Sequence, residues 1–315
     1  MSVVSWFRRN KTDTIPAFVA PVGLYGKLPV AGEYFRRRCF RGASAAYREW
    51  IDSAQAAGRG LAGGWRLLFF ADGYQELIVA HIRPSEDASK SRQFPISVFV
   101  PLAKENAGAS MHEYFARAAQ LWPQLERIDT NLCTAPDSNI DHFLDESPAS
   151  LGESEVYDAA NGLTLPDVAA SLGKDGAHAL ARAMWIAHQR WIAIRAGVYP
   201  GSEIPAFDLP VAIDHDPVSQ SMVWLRWFDR LGIFEGRNKP ISIALPSQVS
   251  GVPVTPALRV LLRPPLSRDF ERWLAAEADG SLGTHNFDGF GAFSDRLSQL
   301  VNSEANFSAL VELMP

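Results

Sequence analysis

Cysteine and long apolar runs are both scarce in this chain of 315 residues. The two cysteines, Cys39 and Cys133, are too few for a disulfide framework or a cysteine-based zinc site. The run from Pro240 to Leu258 carries no charge, but four prolines interrupt it, so it does not form a membrane-spanning helix. No apolar segment typical of a signal peptide follows the basic residues near the N-terminus. We therefore expect a cytoplasmic protein that does not insert into a membrane.

The chain also lacks the excess of positive charge that proteins coating nucleic acids need. It has 30 Lys and Arg against 35 Asp and Glu, a net charge of −5, so we expect no nucleic-acid partner. The charge is unevenly distributed, with a net +6 over residues 1–128, −8 over 129–160 and −3 over 161–315. The acidic stretch is either a solvated connector or a segment that lies against the basic N-terminal part.

Length and the acidic stretch together predict two domains. The predicted boundaries give an N-terminal domain over residues 1–135, an acidic connector over 136–160 and a mixed, helix-rich domain over 161–315. Residue patterns in the N-terminal part predict the order β-α-β-β-β-α, with a hairpin turn at Asp72 and Gly73. Because consecutive strands joined by short turns pair antiparallel, we expect an α+β fold with an N-terminal antiparallel sheet flanked by helices.

Sequence motifs of catalysis and cofactor binding are missing from the chain. It contains no P-loop, no G-x-S-x-G and no H-E-x-x-H. The G-x-G-x-x-G match at residues 58–63 follows a predicted helix and precedes a predicted strand, the reverse of a dinucleotide site. Asp214 and His215 are the best local pair for a cryptic hydrolase, but the adjacent Asp216 is suited to capping a helix that begins at Pro217. We therefore predict no enzyme, with no catalytic residues, no metal site and no cofactor.

The most distinctive feature that is present is a cluster of four arginines within six positions, Arg36, Arg37, Arg38 and Arg41. Guanidinium groups form bidentate contacts with carboxylates and phosphates, so the cluster is a candidate partner-binding surface. The alternative interpretation is the solvated face of a short loop.

Around these arginines the sequence resembles the TagF/ImpM family of type VI secretion-associated proteins. The matching segments occur in the family's order, with GLYGKLP at 23–29, GEYFRR at 32–37, YREWI at 47–51, WRL at 65–67, PSED at 84–87 and RQFPI at 92–96. Glu33 departs from the pattern, since the family usually has an aspartate there. The resemblance covers residues 23–102 and is faint in the C-terminal half.

The resemblance implies a cytoplasmic, non-enzymatic accessory protein that represses type VI secretion after translation. It also implies a partner, a scaffold protein of the secretion machine with a forkhead-associated domain. Within the family-like segments, Lys27, Glu33, Asp87 and Arg92 carry opposite charges that can meet where two loops converge. These four residues form either an ion network that stabilises the fold or, with the four arginines, a recognition surface for the partner.

The predicted order β-α-β-β-β-α is also similar to part of the longin and roadblock platforms, which scaffold small GTPases and trafficking proteins. This similarity is at the level of the fold only. It leaves a scaffold for another cytoplasmic partner open as an alternative function, and such a scaffold needs an exposed sheet edge or helix face.

Overall fold

A computed structural model describes residues 18–90, 92–103, 111–136, 139–152, 164–197, 206–211, 216–233, 242–247, 257–274, 289–303, 305, 309, 310 and 313. The strands are β1 (Phe18–Ala20), β2 (Gly23–Lys27), β3 (Tyr34–Arg37), β4 (Trp65–Phe70), β5 (Glu76–Arg83), β6 (Ile96–Ala103), β7 (Ala149–Leu151), β8 (Ala206–Pro210), β9 (Ser242–Pro246) and β10 (Ala257–Leu261). The helices are α1 (Gly42–Ala56), α2 (Met111–Leu132), α3 (Ile140–Glu146), α4 (Leu165–Ser171), α5 (Gly176–Arg195), α6 (Pro217–Arg230), α7 (Phe270–Trp273) and α8 (Phe290–Asn302). A 3₁₀ turn over Ser267–Asp269 precedes α7.

Eight of these strands form one sheet in the order β3-β2-β6-β5-β4-β9-β10-β8. Every neighbouring pair in this sheet is antiparallel, and β1 pairs with β7 in a separate two-stranded sheet. The turn at Asp72 and Gly73 joins β4 to β5, with Phe70 opposite Leu77 at the end of the hairpin. The α+β class and the antiparallel N-terminal sheet are therefore confirmed.

Helices cover both faces of the sheet, which explains why the central strands are apolar along most of their length. On one face, α1 and α7 pack on the sheet through an aromatic cluster that includes Trp50, Phe69 and Phe270. On the other face, α2, α5, α6 and α8 share a larger core that includes Leu68 and Trp122. Strands buried on both faces lose the alternation of apolar and polar residues that marks a half-exposed strand.

The sheet crosses the boundary that the sequence predicts between two domains. Strands β8, β9 and β10, from the C-terminal part, continue the sheet beyond β4, so this part supplies strands as well as helices. The stretch predicted as a connector contains α3 and β7, and β7 pairs with β1. Separate folding of the two parts stays a prediction, whereas the sheet itself is shared.

Candidate functional site

The residues of the predicted site lie around the hairpin of β2 and β3, at one edge of the sheet. Strand β2 is buried along its length, whereas β3 is largely exposed. At Gly26 the backbone φ is 125°, and a Cβ added there would lie 2.0 Å from the carbonyl oxygen of Pro95. Glycine is therefore required at this position for β2 to approach the start of β6.

Lys27 and Asp87 form a buried ion pair that ties β2 to the loop between β5 and β6. The Lys27 ammonium is 3.0 Å from Asp87 Oδ2, and both side chains are at most 1% exposed. Ser89 donates a hydrogen bond of 2.8 Å to the other oxygen of Asp87, and Arg92 Nε lies 3.3 Å from Oδ2. The Lys27 ammonium also lies 4.8 Å from the centre of the Tyr34 ring. This geometry gives Lys27 and Asp87 a structural role, since neither is accessible to a partner.

Of the four charged residues expected to meet here, the structure brings three together. Lys27, Asp87 and Arg92 converge, but Glu33 is exposed and forms no ion pair with any residue that the structure describes. Arg92 is 68% exposed in spite of its contact with Asp87. Arg92 and Glu33 are therefore the two members of this group that a partner can reach.

The consecutive arginines point to opposite faces because side chains alternate along a strand. Arg36 lies opposite Tyr25 of β2, on the face that α1 covers, with its guanidinium carbon 5.9 Å from the centre of the Tyr34 ring. Arg37 points to the other face, where α2 packs. Arg38 ends the strand with a φ of 55° and donates a hydrogen bond of 2.7 Å to a backbone carbonyl oxygen.

The acidic helix α3 lies against the second and third of these arginines. Arg37 is paired with Asp141, and Arg38 Nη2 lies 2.5 Å from Asp145 Oδ1. The two aspartates are four residues apart, so they share one face of the helix. Of the two alternatives for the acidic stretch, contact with the basic N-terminal part is what α3 shows, through Arg37 and Arg38.

A second group of basic side chains remains exposed near the hairpin, next to exposed aromatic rings. We call Tyr34, Arg36, Phe40, Arg41 and Arg92 the basic–aromatic patch. Phe40 is 59% exposed, and within the described residues neither Arg36 nor Arg41 pairs with a carboxylate. Burial, followed by the negative charge of Asp52, raises the pKa of Tyr34, while the positive charges of Arg92 and Arg36 act in the opposite direction.

A buried polar network that the sequence did not reveal braces the sheet against α2. Arg66 of β4 forms a bidentate pair with Glu126 at 2.7 and 2.8 Å. Arg83 of β5 pairs in the same way with Asp129 at 2.6 and 3.0 Å, and His81 Nδ1 lies 3.2 Å from the same carboxylate. Burial by itself raises the pKa of Asp129, but the neighbouring His81 and Arg83 side chains outweigh it and hold the pKa below its ordinary value. Both carboxylates are committed to guanidinium partners, so the network is a structural brace.

The only sequence signal for this network is the spacing of its two acids. Glu126 and Asp129 lie three residues apart among apolar residues on the buried face of α2. An acid on such a face needs a buried partner. That requirement indicates a buried ion pair, but it does not indicate which strands supply the arginines.

A cleft of about 390 Å³ opens between the loop after α1 and the loop that joins β5 to β6. Its lining includes Pro29, Pro84 and Pro95 from the family-like segments, together with Leu61 and the polar side chain of Gln93. Its described lining residues include no histidine or cysteine. Ser85 and Glu86 also line the cleft.

The remaining sequence candidates for chemistry are Asp214, His215 and Asp216. Asp214 and His215 lie outside the described residues, while Asp216 caps α6 by accepting a hydrogen bond of 3.0 Å from Val218 N. No three His, Cys, Asp or Glu residues in the described ranges are grouped so as to hold a metal ion. Among the described helices, none is both long and apolar enough to cross a membrane.

The chain was compared with known families, curated proteins and solved structures. No family model matches the sequence, and no curated protein matches it. Among solved structures, the chain is similar to the crystal structure of PA0076 from Pseudomonas aeruginosa PAO1, with 16% identity and a TM-score of 0.43. The similarity covers 82% of this chain and 96% of that chain. At this level, the similarity assigns neither a family nor a function.

Proposed function

We propose that this chain is a non-enzymatic accessory protein of type VI secretion. It acts as a post-translational repressor in the cytoplasm by binding a scaffold protein with a forkhead-associated domain. The proposal draws its biological setting from the TagF/ImpM-like segments between residues 23 and 102. Its contact surface is the basic–aromatic patch.

One observation carries the surface assignment, the availability of Arg36 and Arg41. Both side chains are exposed, and neither pairs with a carboxylate in the described part of the chain. Exposed arginine beside exposed aromatic rings is the combination that protein interfaces favour, because arginine supplies several donors and the rings supply apolar area. Phe40, at 59% exposure, supplies such a ring.

The ion pairs made by α3 support the proposal that the partner is acidic. Arg37 and Arg38, in the same cluster, already pair with Asp141 and Asp145. Arg36 and Arg41 have the same chemistry but no such partner among the described residues. A carboxylate-rich or phosphorylated surface would complete the cluster.

The test is the affinity of the purified protein for the purified scaffold. The double variant Arg36→Glu/Arg41→Glu is expected to bind at least about tenfold more weakly, since two attractive contacts become repulsive. Arg127→Glu is the matched control, because Arg127 is an exposed arginine on α2, away from the patch. This control should bind like the wild type.

The possible results test the partner and the contact surface separately. Equal affinity of the double variant and the wild type would show that the patch is not the contact surface. A wild-type protein that does not bind the scaffold would refute the partner itself. In that case, affinity capture from the native cell would look for other partners.

The alternative function is a longin-like or roadblock-like scaffold for another cytoplasmic partner. The observation that favours it is the open edge at β3, since such platforms use an exposed sheet edge. Capture of a small GTPase in place of the secretion scaffold, with loss of capture in the same double variant, would support this alternative.

A further inference from the structure

Strand β3 is an open edge of the eight-stranded sheet. It pairs with β2 on one side, and no described segment outside β2 forms a backbone hydrogen bond with residues 34–37. An open edge presents a row of backbone donors and acceptors to which an extended segment of another protein can add as a strand. The edge lies within the surface that the proposed function assigns to the partner.

The charge of this edge disfavours a second copy of the same chain. Each copy of β3 carries two arginines, Arg36 and Arg37, in a strand of four residues. Two copies paired edge to edge would crowd four arginines into one pair of strands, and like charges on facing strands destabilise the pairing. The same arginines favour a strand that carries acidic residues, because opposite charges on facing strands stabilise it.

The two faces of β3 differ in which side chains are available to a partner. On the α2 face, Arg37 is already paired with Asp141 of α3. On the α1 face, Tyr34 and Arg36 are exposed, and Arg36 pairs with no carboxylate in the described ranges. An added strand therefore finds its side-chain contacts on the α1 face.

We infer that the partner binds by adding an acidic extended segment to the open edge of β3. The segment places a carboxylate opposite Arg36 and, two positions along, an apolar side chain against the Tyr34 ring. Backbone hydrogen bonds to β3 provide affinity, while these two side-chain contacts provide register and specificity. The inference rests on the proposed function, since it names the chemistry of the partner's binding segment.

The experiment is amide hydrogen exchange of the full chain with and without the purified forkhead-associated-domain scaffold. We expect the amides of β3 that point away from β2 to exchange quickly in the free protein, because no strand in the described ranges covers them. With nine-tenths of the protein bound, their exchange is expected to slow by about tenfold, while the amides directed at β2 change little. Arg36→Glu should remove most of this protection at the same scaffold concentration, Arg36→Lys should keep most of it, and Arg127→Glu should keep all of it.

Each other result has a distinct meaning. Scaffold binding without slower exchange at residues 34–37 would overturn strand addition and leave the proposed function standing. Loss of binding in Arg36→Glu without β3 protection in the wild type would show docking through side chains alone, which also overturns strand addition. Absence of wild-type binding would overturn the proposed function and this inference with it.

Discussion

Replacing one member of the Lys27–Asp87 pair tests whether these residues hold the fold together. Asp87→Asn keeps the shape of the side chain but removes its charge, so the buried Lys27 ammonium has a neutral amide and the Tyr34 ring beside it in place of a carboxylate. Breaking a buried ion pair from one side costs about 3–5 kcal/mol, because the remaining charge is desolvated without a partner. We expect a loss of that size in the free energy of unfolding.

The reverse replacement should cost less because the two partners differ in their other contacts. In Lys27→Met, the Asp87 carboxylate keeps the Ser89 hydroxyl at 2.8 Å and the Arg92 guanidinium at 3.3 Å. We therefore expect a loss of about 1–3 kcal/mol for this variant. The double variant should lose less than the sum of the two, with a coupling energy of about 2 kcal/mol.

The assay is urea unfolding at pH 7, followed by far-UV circular dichroism, on the wild type, both single variants and the double variant. Arg127→Met is the control for removing an exposed cation, and it should change stability by less than about 0.5 kcal/mol. A loss below about 1 kcal/mol in Asp87→Asn would refute the reasoning, as would strict additivity in the double variant. Either result would show that Lys27 and Asp87 do not stabilise the fold as an ion pair.

Four further variants test the surrounding structure. Gly26→Ala should lower the free energy of unfolding by about 3 kcal/mol or more, as measured by thermal unfolding. The reason is that the new Cβ would lie 2.0 Å from the Pro95 carbonyl oxygen, at a residue with a φ of 125°. Asp141→Asn and Asp145→Asn should each cost at most about 1 kcal/mol, because their ion pairs are exposed, and the loss of urea stability should vanish in 1 M salt. Because the pKa of Asp129 is lower in the folded than in the unfolded state, its carboxylate stabilises the fold above the unfolded pKa of about 3.9. This stabilisation is lost as the pH falls through the folded pKa. In Asp129→Asn, the free energy of unfolding should therefore depend less on pH below about pH 4. If the free energy of unfolding of Asp129→Asn depends on acidic pH as strongly as that of the wild type, Asp129 is not the residue responsible.

Local patterns were sufficient to place several elements of the fold. The spacing of Tyr47, Trp50, Ile51 and Ala54 predicts a helix with one apolar face, and all four residues are buried on α1. Asp216 followed by proline predicts the start of α6, and its side chain caps that helix. These predictions hold because helix periodicity and capping depend on residues within a few positions of one another.

The strand β3 could not be predicted in the same way. Its sequence, YFRR, has no alternation of apolar and polar residues, because both of its faces are largely exposed at the sheet edge. It is a strand because β2 is next to it and supplies the hydrogen bonds. This strand carries Tyr34 and Arg36, two of the five residues of the basic–aromatic patch.

The sequence by itself determined the α+β class, the separation of basic and acidic segments and the arginine cluster at residues 36–41. Only the tertiary structure decided which of these charges are available. It buries Lys27 with Asp87, pairs Arg37 with Asp141 over a separation of 104 residues and leaves Arg36 exposed. The physical reason is that burial and long-range ion pairs depend on strand order and register, which bring together residues that no local pattern relates.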